Sequence, residues 1–158
     1  MAAIKLQLVG LAGLCLSGYA LYVEHQSEVN PSYEAFCDIS HEISCSKVFL
    51  SEWGRLFSAL GLVRPGSALD LPNAALGLVY FSLVLMHPLL PLRSYQASAK
   101  AVFYLTLPVM AATALLAYVL LAVLKDVCIV CFSIYVCNAL VLLLSYRRGF
   151  LAGKVKDT

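Results

Sequence analysis

Four stretches of the chain, residues 4–23, 73–92, 101–124 and 127–145, are each close to 20 residues long and almost wholly apolar. A helix needs about 20 apolar residues to cross the hydrocarbon core of a bilayer. Inside lipid the backbone has to satisfy its own hydrogen bonds, which a helix does. With 61% of its 158 residues hydrophobic and 13% charged, the chain lies outside the composition of water-soluble domains. It is expected to be an all-α membrane protein of one domain, a four-transmembrane-helix bundle. The first stretch also imitates a secretory signal peptide, with a charged start at Lys5 and small residues near Ala20. Its apolar run, however, is longer than the roughly 7–15 residues usual for a signal core.

Only Lys125 and Asp126 separate the third and fourth stretches, so these two helices should be antiparallel neighbours. If the amino terminus faces the cytoplasm, that side holds Lys5, Arg93, Lys100, Arg147, Arg148, Lys154 and Lys156, seven of the eleven basic residues. The opposite side then holds eight of the nine acidic residues. Lys and Arg in short loops favour the cytoplasm, so both termini are expected there, with residues 146–158 as a cytoplasmic tail. The long segment 24–72 and the Lys125–Asp126 turn fall on the other side, where disulfides persist. The tail "KVKDT" resembles the dilysine retrieval signal of endoplasmic reticulum membrane proteins, and reads equally well as a solvated basic end. The net charge of +2 follows from this topology, and the sequence has no internal repeat, phosphate-binding loop or nucleic-acid patch.

Within segment 24–72, Val48, Phe49, Trp53, Leu56, Phe57 and Leu60 recur near helical spacing, with Ser46 or Ser51 available as caps and Pro65–Gly66 as a breaker. The spacing predicts a short amphipathic helix on the membrane surface or over the mouth of the bundle. Cys37 and Cys45 lie in the same segment, eight residues apart. Taken alone they read as a structural disulfide closing a short loop.

Cys128 and Cys131 form a Cys-x-x-Cys at the start of the fourth apolar stretch, one helical turn apart on one face. Two small polarizable residues can simply pack among helices, which is the reading for the lone Cys15 and Cys137. The paired spacing instead favours a dithiol–disulfide centre. Zinc would need two further ligands from the dispersed His25, His41 and His87, so no metal is expected. A redox pair recessed in the outer leaflet is well placed for a membrane-dissolved carrier such as a quinone. Tyr135, four residues past Cys131, offers a hydroxyl on the same face, and Asn73 brings an amide to similar depth after Pro72. Polar groups at membrane depth tend to be functional, although Tyr135 also suits an interfacial anchor and Asn73 a helix start.

Together "CDISHEISCSKVF", the following "SEWGR", "PNAALG" opening the second stretch and "CIVCFSIY" in the fourth resemble the vitamin K epoxide reductase family from about Tyr19 to Arg148. The stretch "SALGLVRPGSALDLP" matches less well. The resemblance implies a four-helix bundle with a luminal cap in the endoplasmic reticulum membrane, and an enzyme that reduces vitamin K epoxide and quinone with no tightly bound cofactor. It implies that Cys128 and Cys131 are the active-site pair, with Cys131 the thiolate that meets the quinone. It makes Cys37 and Cys45 the loop pair that relays electrons from a luminal thioredoxin-like protein, and Asn73 and Tyr135 the substrate's hydrogen-bonding partners. Phe49, Ser51 and Trp53 fall where the family has cap residues over the pocket. The family is the target class of 4-hydroxycoumarin anticoagulants. The same four cysteines would serve a quinone-coupled generator of disulfides, as in bacterial relatives. A claudin-like structural tetraspan fits poorly, because its tryptophan precedes the loop cysteines whereas Trp53 follows Cys45.

Overall fold

Glu24 to Val29 contains neither Gly nor Pro, so nothing stops the first helix where its apolar run ends. In the computed structural model, which describes residues 2–30, 32–38, 43–89 and 94–151, helix α1 (Ala2–Val29) continues one and a half turns beyond Val23. It ends just before Asn30, whose neighbour Pro31 disfavours a helical conformation in the residue ahead of it.

The second apolar stretch behaves differently. Helix α4 (Asn73–Met86) is 14 residues long and gives way to a 3₁₀ turn, His87–Leu89. Pro88 is the physical cause, since it has no N–H to offer the Val84 carbonyl. His87 Nδ1 donates to that carbonyl instead, at 2.6 Å, and in the neutral ring Nε2 then accepts from the Tyr95 hydroxyl at 3.0 Å. The two segments together rise about 27 Å, short of a hydrocarbon core of about 30 Å. Among the described residues three helical segments, Ile4–Val29, Tyr95–Leu124 and Ile129–Leu151, are long and apolar enough to cross a membrane, and Asn73–Leu89 is a shorter apolar helix. Of the four spans expected from the sequence, three are thus of full length among the described residues and the second is shorter; residues 90–92, at its expected end, lie outside the described residues.

Helix α5 (Tyr95–Tyr118) starts six residues before the expected span because Ser94 caps it, accepting from the Ala97 N–H at 3.2 Å. It carries Pro108 within it and unwinds to a π turn, Val119–Leu124. Lys125, in the left-handed region at φ 55°, ends that turn. Helix α6 (Ile129–Tyr146) follows and continues as a second π turn, Arg147–Leu151, so helix extends into what the sequence suggested as tail. Residues 152–158, with the dilysine-like tail, lie outside the described residues, as does His41.

The cap segment is not one amphipathic helix. It breaks into α2 (Cys45–Leu50), a 3₁₀ turn (Glu52–Gly54) and α3 (Leu56–Ala59). Its N-cap is Ser44 rather than Ser46 or Ser51, and Ser51 turns its hydroxyl back onto the Val48 carbonyl at 2.7 Å. The chain folds back so tightly that a Cβ at Gly54 would overlap the Phe49 carbonyl. It stops at Gly61, at φ +69°, four residues before Pro65.

Helix α1 packs on α4 and α6, and α5 on α6. The α1–α4 seam is built from small residues: Gly10 faces Val84, Gly13 lies under the Phe81 ring, and Gly77 faces Ser17. This is the small-residue contact by which membrane helices approach closely. Large apolar side chains such as Leu8, Leu11, Leu121, Phe132, Val136 and Leu143 cover the outer faces, as lipid contact requires. A cavity of about 380 Å³ remains between α1, α4, α5 and α6, roofed by the cap.

Candidate functional site

The cavity and the cysteines share one end of the bundle. Cys128 is the N-cap of α6, its sulfur accepting from the Cys131 N–H at 3.2 Å. A sulfur thus occupies the place that Ser or Asp usually takes, facing the positive end of the helix dipole. Cys131 follows one turn along and lines the cavity wall, so the Cys-x-x-Cys has one buried sulfur and one that faces the space.

Behind Cys128 stands the cap. Cys37 and Cys45 form a disulfide with a Cα–Cα distance of 5.8 Å, and Cys45 Sγ lies 3.6 Å from Cys128 Sγ. Cys45 and Cys128 are both fully shielded from solvent. Sulfur therefore runs continuously from the loop disulfide through Cys128 towards the cavity wall at Cys131. Cys37, Cys45 and the carboxylate of Asp38 lie close enough to suggest a metal centre, but the two sulfurs are bonded to each other and offer no thiolate ligand.

Asp38 is the hub of this loop. Its carboxylate accepts from the N–H groups of Ala35 at 2.9 Å, Cys45 at 2.6 Å and Ser46 at 3.2 Å. It also accepts from the hydroxyls of Ser44 at 3.0 Å and Ser46 at 2.7 Å. Burial pushes its pKa up, and these hydrogen bonds overcome that effect and hold the carboxyl below its usual range.

The roof is tied down at two neighbouring points. Asn73, the first residue of α4, donates from Nδ2 to the Trp53 carbonyl at 2.6 Å and accepts the Leu56 N–H on Oδ1 at 2.9 Å. An amide has two N–H groups and two acceptor lone pairs, so these two bonds leave one of each unused, on a residue that lines the cavity. Arg55 donates to the Asp70 carbonyl at 2.7 Å and to Glu28 at 3.1 Å, and its guanidinium is 3.9 Å from Glu24. The α1 extension is what brings Glu24 and Glu28 to the cap.

Of the residues expected from the sequence, Cys131, Tyr135, Asn73, Phe49 and Trp53 line the cavity. Ser51 does not; its hydroxyl is spent within its own turn. Cys128, Cys45 and Cys37 form the sulfur path beside it. Sequence reasoning missed Asp38 and Arg55, whose bonds join parts of the chain no periodicity links. It also missed the polar floor of the cavity, where buried Asn138 donates to Thr113 at 2.9 Å and its Oδ1 and the Ser17 hydroxyl find no protein partner among the described residues. Asn138 could have been found as the polar residue seven positions after Cys131, on the Tyr135 face. Glu24, Asn73, Tyr80 and Tyr135 add further polar groups to a lining that is mostly apolar, and the cavity's volume falls within the roughly 300–1,000 Å³ of small-molecule sites.

Compared with known proteins, the chain matches the family model described as Vitamin K epoxide reductase family over residues 4–146. It is 39% identical over 139 residues to vitamin K epoxide reductase complex subunit 1 of Rattus norvegicus, covering 87% of this chain and 84% of the rat protein. The protein of the same name from Mus musculus is equally similar, at 39% over 139 residues.

Proposed function

The chain belongs to the vitamin K epoxide reductase family, and from that premise we propose that it is a membrane thiol–quinone oxidoreductase acting on vitamin K epoxide and vitamin K quinone. The observation that carries this reading is the 3.6 Å approach of Cys45 to Cys128 beside a cavity that Cys131 lines.

In this mechanism the Cys131 thiolate attacks an epoxide carbon, the C–O bond opens and the oxygen takes up a proton. Cys128 sulfur then attacks Cys131 sulfur. The C–S bond breaks, its electron pair expels the oxygen as water, and a Cys128–Cys131 disulfide remains. One epoxide and two thiols become one quinone, one water and one disulfide. Reduction of the quinone consumes a second pair of thiols and yields the hydroquinone.

The spare N–H of Asn73 and the hydroxyl of Tyr135 are the donors for the two carbonyl oxygens of the headgroup, while Phe49 and Trp53 close the apolar roof over the ring. Ser51 supports Phe49 through its turn and makes no direct contact with substrate. The inner disulfide is reduced by Cys45, and the loop pair in turn by a thioredoxin-like protein on the same side of an endoplasmic reticulum membrane. The same roofed cavity would accept 4-hydroxycoumarin inhibitors. No tightly bound cofactor enters these steps, because the electrons arrive through thiols.

The test is conversion of vitamin K epoxide by purified protein driven by dithiothreitol. Wild type should form quinone, and Cys131→Ala should lose at least a hundredfold of that rate, since the nucleophile itself is gone. Equal rates in the two proteins would refute the assignment. Quinone-dependent oxidation of protein thiols without epoxide turnover would point to disulfide generation, the reverse direction of flow.

A further inference from the structure

The loop pair poses a mechanical problem that the cysteines alone do not solve. In the relay read above, Cys45 passes through three covalent states: bonded to Cys37, free, and bonded to Cys128. The Cys37–Cys45 bond ties the loop only in the first state. Transfer of a disulfide requires Cα atoms within about 7 Å, so Cys45 has to stay over Cys128 when its own disulfide is open.

We propose that Asp38 is a positioning residue of this relay, holding Cys45 over Cys128 in all three states. This inference rests on the relay read under the proposed function. Among the described residues each of its five hydrogen bonds comes from an N–H or O–H group and none from sulfur. They are therefore indifferent to what the sulfurs are bonded to. Three of the five come from Cys45 and Ser46, the first two residues of α2, and another from Ala35, on the far side of Cys37. The carboxylate thus clamps both strands of the loop and does without covalent help what the disulfide does when closed. Hydrogen bonds to an ionised acceptor are the stronger kind, and the low pKa of Asp38 keeps it charged across the neutral range.

With the loop reduced, Cys45 thiolate attacks Cys128 of the inner disulfide, forming a Cys45–Cys128 bond and releasing Cys131 as thiolate. Cys37 thiolate then attacks Cys45, restoring the loop disulfide and releasing Cys128. One disulfide has opened and another has closed, so one electron pair has moved inward. A protein dithiol reopens the loop. Asp38 touches no substrate and exchanges no proton in these steps; it fixes where Cys45 stands.

The decisive measurement uses Cys37→Ala, in which the second step is blocked and the Cys45–Cys128 crosslink should accumulate, quantified by mass spectrometry after alkylation and digestion. Adding Asp38→Ala should lower the crosslinked fraction at least tenfold. Adding Asp38→Asn, which keeps an acceptor oxygen for the Cys45 and Ser46 N–H groups, should restore most of it. With Cys37 present, Asp38→Ala should slow epoxide turnover driven by reduced thioredoxin at least tenfold, and slow dithiothreitol-driven turnover by a much smaller factor. Crosslinking at the parental level in Asp38→Ala overturns the proposal, as does parallel loss under both reductants, which would mark a purely structural residue. Failure of the wild type to turn over epoxide would instead count against the proposed function, and the crosslink comparison would still decide the role of Asp38.

Discussion

At the scale of single residues, Asn73 and Tyr135 look equivalent from the sequence, each a polar group expected at the substrate, and the structure separates them. Both ends of the Asn73 amide hold the cap, through Trp53 and Leu56, whereas Tyr135 stands in the cavity wall on α6. Asn73→Ala should therefore do two things: remove a donor to the substrate and loosen the roof. Tyr135→Phe should do only the first. A net hydrogen bond of about 0.5–1.5 kcal/mol corresponds to about a two- to tenfold loss of turnover in Tyr135→Phe, with more in Asn73→Ala. Alkylation of the buried Cys128 reads the roof independently: it should quicken in Asn73→Ala and stay at the wild-type rate in Tyr135→Phe. Equal alkylation rates in both variants would remove Asn73 from the latch.

At the scale of elements, the seam between α1 and α4 is the most sharply specified contact. A methyl group at Gly13 would occupy the space of the Phe81 ring, which is fully buried and has neighbours on its other faces. Gly13→Ala should cost about 1–3 kcal/mol, the usual range for overpacking a filled core, seen as a lower unfolding midpoint in detergent. Phe81→Leu in the same chain should recover part of the loss. A wild-type midpoint for Gly13→Ala would mean that α1 and α4 do not meet on this face. The existence of the helices was legible because apolar runs of this length have few alternatives, and the Cys-x-x-Cys was legible because its spacing matches a helical turn. The breaks were not. Pro88 could be read as a proline, but that His87 would take over the orphaned Val84 carbonyl depends on Tyr95, a residue from the next helix. The cap reads as one helix by periodicity, and it kinks because Gly54 permits a fold-back onto Phe49 that only tertiary contacts demand. Asp38 has no periodicity to betray it, since its partners are mostly backbone groups brought together by folding.

At the scale of the whole molecule, the arrangement is polar end over apolar body. The loop disulfide, the Asp38 hub and the Arg55 latch gather at one end, while the cavity descends between helices whose outer faces are apolar. In the proposed relay a water-borne dithiol would approach the loop pair from the capped end and a lipid-borne substrate would reach Cys131 through the cavity, with the capped end facing an oxidising compartment. The charge pattern argues for that orientation. Lys5, Lys100, Arg147 and Arg148 cluster at the opposite end from Glu24, Glu28, Asp38 and Asp70, and short basic loops stay in the cytoplasm. Two asparagine-linked glycosylation acceptors test it in microsomes. One placed within residues 58–70, which are largely exposed, should be modified, and one appended after Thr158 should not. An even number of crossings puts both termini on one side, so modification at the carboxyl terminus would mean that Asn73–Leu89, too short by itself for a full hydrocarbon core, fails to cross and leaves three spans. Modification at 58–70 with an unmodified carboxyl terminus would show that this helix does cross, with the bilayer thinning locally around its short length.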